Sequence, residues 1–518
     1  MNKLKYILLL SSGLAFVSSC KKLVNEDSTQ VPVDKALSTV DDLKLYVSSL
    51  YKPFASSNGG ADVWGFYATL DAGYYSVTEN TTDILTTQKA NANAVPTICN
   101  HHDWDMNNSN NLMNPLTNKY WTKVTYLSKA RMAVLRIGTS KFPDNIKNPY
   151  IAEAKAVIGW LGMILYDVFG PVPYANDDVL LKWDNDPLSS TYLPKPSDQE
   201  FLAYLVKNLT EAIPDLPVSQ QEWGRITKGS AMMMLLRIYF MQKDFANAKT
   251  VAAALYGMGT SGGGTTYSLQ SQYMNVFKLA YKRNNEIIQA IPCDGSKDGN
   301  PNQWYCAIMP PDYPHISPNA KGSSTHRMRW SFYDTYETTD DRLQTIVSQY
   351  TNTSGKVIKR GAGALTGGAL PFKYDQDPVT NGDMATNDIV VFRYAEALLA
   401  YAEAINETEG PTTQAIELVN LVRRRAKLKD LQIAFPAKVA DQAAFRDAIL
   451  EERGHELYCE GVRHMDLIRA GKFVQNGIIG LSPADQALYN SDPQRFRWPI
   501  PPSAVIQSSG VIRQNEGY

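Results

Sequence analysis

The sequence predicts a mostly α-helical protein: an array of helical hairpins of tetratricopeptide-like texture, interrupted by long irregular insertions. Three observations lead there. Paired Ala- and Leu-rich segments of helical length are joined by short polar turns. Two long stretches, about residues 56–116 and 258–388, are rich instead in Gly, Asn, Asp, Thr, Pro and aromatics. Past the first twenty residues there is no second long apolar run.

The opening "MNKLKYILLLSSGLAFVSSC" has a basic start, an apolar run and a small-residue end, the order of a secretory leader. Its "VSSC" ending resembles a bacterial lipobox, which implies cleavage before Cys20 and acylation there. The expected division is a signal peptide over 1–19, an N-terminal region over 20–257 with helical repeats and the first insertion, and a C-terminal region over 258–518 with the second insertion and closing helices. A formal net charge of −1, from 51 basic and 52 acidic residues, gives no reason to expect nucleic acid as a partner.

Taken in order, residues 117–138 place Tyr120, Val124, Leu127, Met132 and Leu135 at helical spacing, with Gly138 as a stop. Residues 151–169 are apolar nearly all round and predict a buried helix ending at "GPVPY". "KGSAMMMLLRIYFMQ" and "DFANAKTVAAALYGMG" predict one antiparallel hairpin. "NDIVVFRYAEALLAYAEAINE" and "PTTQAIELVNLVRRRAKL" predict another, with Thr412 or Thr413 capping the second helix.

Several stretches imitate chemistry. Glu452, Glu456 and Glu460 fall at four-residue spacing, on one face of a helix. A glycosidase needs two carboxylates facing a sugar from opposite sides, so this stripe reads as ion pairing with Arg453, Arg463 or the neighbouring helix. The arginines of "VRRRAK" (422–427) point in different directions and read as solvated or buttressing. Adjacent His101 and His102 would project differently in a loop, and Cys99 adds no motif, so no metal site is expected. No cofactor is expected either, with calcium left open: the acids of 374–388 offer oxygen ligands for it, although not at EF-hand spacing. Cys293 and Cys306 are open to two readings, a short-loop disulfide or buried thiols.

The insertions carry recognition chemistry. A sugar ring has an apolar face and a belt of hydroxyls, which suits an aromatic plate beside amides and carboxylates. The first insertion supplies Tyr75, Asn80 and Asp83, then Trp104 and Asn107 in "CNHHDWDMNN". The second supplies Trp304 and Tyr305 among prolines, with Trp330 open between core and site.

Four blocks, "EAKAVIGWLGMILYDVFGPVPY" (153–174), "FRYAEALLAYAEAINE" (392–407), "ILEERGHELYCEGVRHMDLIRAGKF" (449–473) and "RWPIPPSAVIQSSGVIRQNEGY" (497–518), resemble the SusD/RagB-like outer-membrane nutrient-binding lipoproteins of Bacteroidetes. "SFYDTYETTDDR" (331–342) is a fifth, weaker block. The resemblance implies a SusD-like fold, lipid anchoring at the outer-membrane surface, and no catalytic activity. It also implies a SusC-like TonB-dependent transporter as partner, to which an oligosaccharide is delivered. A peptide ligand is the alternative, and a glycoside-processing enzyme is a further one. In the resembling family a loop at this position presents an aromatic platform near a polar residue from upstream. That role is carried to Trp104 and Asn107, and then to Asn80 and Asp83.

Overall fold

The computed structural model describes residues 37–56, 65–68, 73–88, 94–104, 113–186, 191–295 and 300–518. Cys20 and Asn107 lie outside them, as does the predicted signal peptide.

Among the described residues, eight of the longer helices pack in succession. They are Thr125–Gly138, Asp144–Phe169, Asp198–Ala212, Lys228–Gln242, Phe245–Met258, Tyr394–Glu409, Thr413–Arg425 and Gln442–Leu457. Local sequence sets their starts. Ser197 and Glu200 form a capping box, Thr227 caps through Ser230, and Thr412 accepts from the Ala415 N–H. Gly170, at φ 74°, ends the long helix where a side chain would be strained. Inside that helix Gly159 and Gly162 admit Leu209 and Leu205 of Asp198–Ala212, whose side chains would lie 2.5 and 2.3 Å from an added Cβ. The helix begins at Asp144, earlier than the apolar pattern suggests, and runs through Pro149. Gly138, expected as a stop, is the last helical residue, and the cap is Thr139.

The predicted helix from residue 387 is corrected at its start. Ile389–Arg393 is a strand, paired antiparallel with Ile287–Ile291, and Ile389 lies opposite Ile291. Every residue of both strands is buried, which explains why this run lacks alternation and reads as continuous with the helix behind it. A three-stranded sheet runs in the order Leu85–Thr87, His326–Arg329, Gly368–Ala369. It fastens the first insertion to the second.

Two hydrophobic cores result. The larger draws on helices from Leu43 to Ile512, on both sides of residue 257. The smaller centres on the second insertion, with Tyr273, Phe277, Trp304, Met328 and Leu365, and takes in Ile84 and Leu85 of the first insertion and Tyr458 and Cys459 beyond it. Among the described residues no helix is long and apolar enough to cross a membrane. Cys99, Cys293, Cys306 and Cys459 are free and buried.

Candidate functional site

The aromatics expected on the surface lie inside. Trp104 is 1% exposed; its indole N–H donates to the Arg495 carbonyl at 2.9 Å, and its ring packs near His102 and Trp498. Tyr75 is buried and donates to the Val390 carbonyl at 2.6 Å. Trp304 donates to the Pro371 carbonyl at 3.2 Å and stacks on His326. Tyr305 is buried, with its hydroxyl 2.6 Å from His315 Nδ1. Asn80 is fully buried and donates to the Ser76 carbonyl. The expectation of exposed plates is therefore corrected for Trp104, Tyr75, Trp304 and Tyr305. Each polar tip finds a main-chain or side-chain partner inside, so burial costs little.

The histidine pair is likewise structural. His101 Nε2 lies 2.9 Å from Asp485. His102 caps its helix at φ 52°, stacks on Phe473 at 4.6 Å, and has Nε2 2.8 Å from the Thr81 carbonyl. Burial pushes its pKa down to about 3, so the ring is neutral. Among the described residues no group of three or more His, Cys, Asp or Glu is arranged to hold a metal. The acids of 374–388 are spent on the fold. Asp377 accepts from the Val379 and Thr386 N–H groups, and Asp388 pairs with Lys282.

The glutamate stripe forms a buried ion network. Glu456 pairs with Arg342, Arg393 and Arg425, Glu452 with Arg342 and Arg423, and Glu460 with Arg393 and Lys373. The helix ends at Leu457, so Glu460 reaches the network from the following turn. Arg423 and Arg425 come from the neighbouring helix Thr413–Arg425, one of the sources expected from sequence, whereas Arg453 and Arg463 bind Asp466 and Asp83. Burial alone would raise the Glu456 carboxyl, but the arginines hold it well below the carboxylate range. A permanently ionised, fully paired carboxylate has no proton to donate as a general acid.

One polar groove of about 550 Å³ opens where both insertions meet the C-terminal helices. Asp83 comes from the first insertion, Phe332 from the second, and Asp447, Glu451, Lys472 and Asn476 from the closing helices. Asp83 accepts from Arg463 Nε at 2.9 Å and Nη2 at 2.7 Å, and from Asn476 at 2.9 Å. Its burial would raise its pKa, yet Arg463 holds it below the usual value. Lys472 meets Asp447 at 2.5 Å, and Lys438 meets Glu451 at 2.7 Å. His455, 2.8 Å from Thr335, is kept neutral by burial and by the charge of Arg342 and Arg463. Carboxylates, an ammonium and an amide thus surround a phenyl floor, the donor and acceptor set that a polyol needs. Trp330, which starts the short helix Trp330–Tyr333 that also carries Phe332, is half-buried; its indole donates to the Leu365 carbonyl, and Arg360 lies 4.5 Å over its ring.

Of the described residues singled out from sequence, the groove gathers only Asp83. It adds Phe332, Asp447, Lys472 and Asn476, of which Asp447 and Lys472 look in sequence like ordinary solvent-facing charges.

Residues 347–518 match the model of the SusD family. That matched segment is similar to the SusD family. The chain is 25% identical over 422 residues to the starch-binding protein SusD of Bacteroides thetaiotaomicron, covering 68% of this chain and 70% of that one. A SusD homolog of the same organism superposes at a TM-score of 0.76, with 20% identity, over 95% of this chain and 100% of that one. Surface glycan-binding protein A of B. thetaiotaomicron, solved in complex with laminarihexaose, superposes at 0.68 with 18% identity, over 92% of this chain and 99% of that one. The SusD-like fold therefore extends over nearly the whole chain.

Proposed function

We propose that this protein is a SusD-like outer-membrane lipoprotein, anchored through Cys20 at the cell surface, that captures an oligosaccharide. It delivers that ligand to a SusC-like TonB-dependent transporter and performs no chemistry on it. The observation that carries the reading is the shared fold along nearly the full length of a glycan-binding protein whose structure holds laminarihexaose. The groove supplies the chemistry: Asp83, Asp447, Lys472 and Asn476 around Phe332 offer fixed donors and acceptors beside an aromatic floor. Affinity per sugar is modest, because each contact replaces one made by water, worth about 0.5–1.5 kcal/mol net. Asn107, outside the described residues, remains a ligand contact in this reading.

The test is an array of defined oligosaccharides and defined peptides probed with the purified protein. Retention on glycans supports the reading, and retention on peptides alone replaces it with a peptide receptor. Product release from a bound glycan would make the protein an enzyme.

A further inference from the structure

A second cleft, sharing no residue with the groove, lies between the 218–227 loop and the strand Ile287–Ile291. Its volume is about 210 Å³. That is below the roughly 300–1,000 Å³ of pockets that engulf drug-sized ligands. It has room for one ring.

Its lining holds hydrogen-bonding capacity that the fold leaves unused. Gln289 is 2% exposed, and its amide nitrogen donates to the Gly224 carbonyl at 2.6 Å and the Ala290 carbonyl at 3.1 Å. Those two acceptors fix which way the amide faces, and its oxygen is left buried without a partner among the described residues. A buried acceptor in that state costs about 1–3 kcal/mol. Gln220, half-buried, donates to the Ile226 carbonyl through its nitrogen at 2.9 Å. Asn285, on the opposite wall, is exposed.

Trp223 supplies an aromatic surface held in place. Its indole N–H donates to Asp388 at 2.9 Å, which fixes the ring orientation, and the side chain is half-buried. Arg283 stands 5.9 Å from the ring centroid, on backbone at φ 63°, and forms no ion pair among the described residues. The other arginine of the lining, Arg225, is neutralised by Glu153 at 2.6 Å and Glu222 at 3.2 Å.

The acceptor oxygen of Gln289 asks for a donor, while Arg283 and Asn285 offer donors. A hydroxyl group meets both demands, and a ring of hydroxyls with an apolar face also suits Trp223. We propose that this cleft is a second saccharide subsite, accepting one neutral pyranose ring between Trp223 and the Gln289 amide. The inference rests on the glycan reading above. Two subsites on one chain would raise the apparent affinity for a long or branched glycan by effective concentration.

The test uses the full-length protein, purified in detergent, with D-glucose, D-galactose, D-mannose and D-xylose as probes in saturation-transfer NMR. At least one probe is expected to receive saturation. Its affinity should fall about tenfold in Trp223→Ala, the loss of about 1.4 kcal/mol. A several-fold loss is expected in Asn285→Ala, an exposed change that leaves the core intact. No saturation of any probe, or saturation that survives both substitutions, overturns the inference. Titrating the same variants with oligosaccharides separates the two readings. Oligosaccharide binding without monosaccharide saturation removes this subsite and leaves the glycan receptor standing. Absence of all glycan binding removes both.

Discussion

Glu79 gives a prediction with a sign and a size. It ends the helix Tyr74–Glu79 and is fully buried. One carboxyl oxygen accepts from the Gly461 N–H at 3.0 Å, and the other has no partner among the described residues. Burial pushes the carboxyl up from 4.5 to about 7, against the pull of the Gly461 N–H, Lys373 and Arg463. Between these values the native state binds more protons than the unfolded chain, so stability falls as pH rises through the window and the full penalty stands above about pH 7. At 1.36 kcal/mol per pH unit, a difference of roughly 2.5 units amounts to about 3 kcal/mol. Glu79→Gln cannot ionise and escapes the penalty. Its amide carries a pH-independent cost of its own, so the informative quantity is the change in the variant-minus-native difference. Urea unfolding at about pH 5, 6, 7 and 8 should show that difference shifting by about 2.5 kcal/mol in favour of the variant as pH rises, because part of the penalty is already present at about pH 5. A flat difference across the series would refute the reasoning, as would a shift in the opposite direction.

Three further outcomes follow from burial. Trp104→Ala should lower the unfolding free energy by about 3–5 kcal/mol; an unchanged melting curve together with lost glycan affinity would restore the exposed-platform reading of this residue. Arg393→Met leaves Glu286, Glu456 and Glu460 without a shared cation and should cost about 3–5 kcal/mol in a thermal melt. A neutral result would show that the network relaxes around its loss. The buried thiols Cys293 and Cys306, both pushed up to about 12 by burial, should resist a thiol-reactive dye in the native protein and react on unfolding. Two fewer thiols in the unfolded, unreduced protein would instead establish a disulfide.

The scaffold was legible where the determinants are local. Thr227 and Thr412 mark helix starts by their own side chains, and the alanine texture of residues 228–258 names a hairpin without outside help. Ile389–Arg393 was not, because a strand buried on both faces carries no alternation, and its partner lies about a hundred residues upstream. The site was less legible still. Trp104 is hidden by Arg495 and Trp498, and Trp304 by Pro371 and His326, contacts that no local pattern announces. Composition points to the first insertion for polar recognition groups, and Asp83 of that insertion lines the groove. Its geometry is nevertheless set by Arg463 and Asn476, some 380 and 393 residues further along. Lys472 and Asp447 acquire a site only when three distant segments converge.

Calorimetric titration of the purified protein with defined oligosaccharides, followed by chromatography of the recovered ligand, tests the central claim most directly. Saturable binding of at least one oligosaccharide, with the ligand recovered intact, is the predicted result. Heat on peptide titration with none on any glycan, or a glycan recovered in fragments, would contradict it.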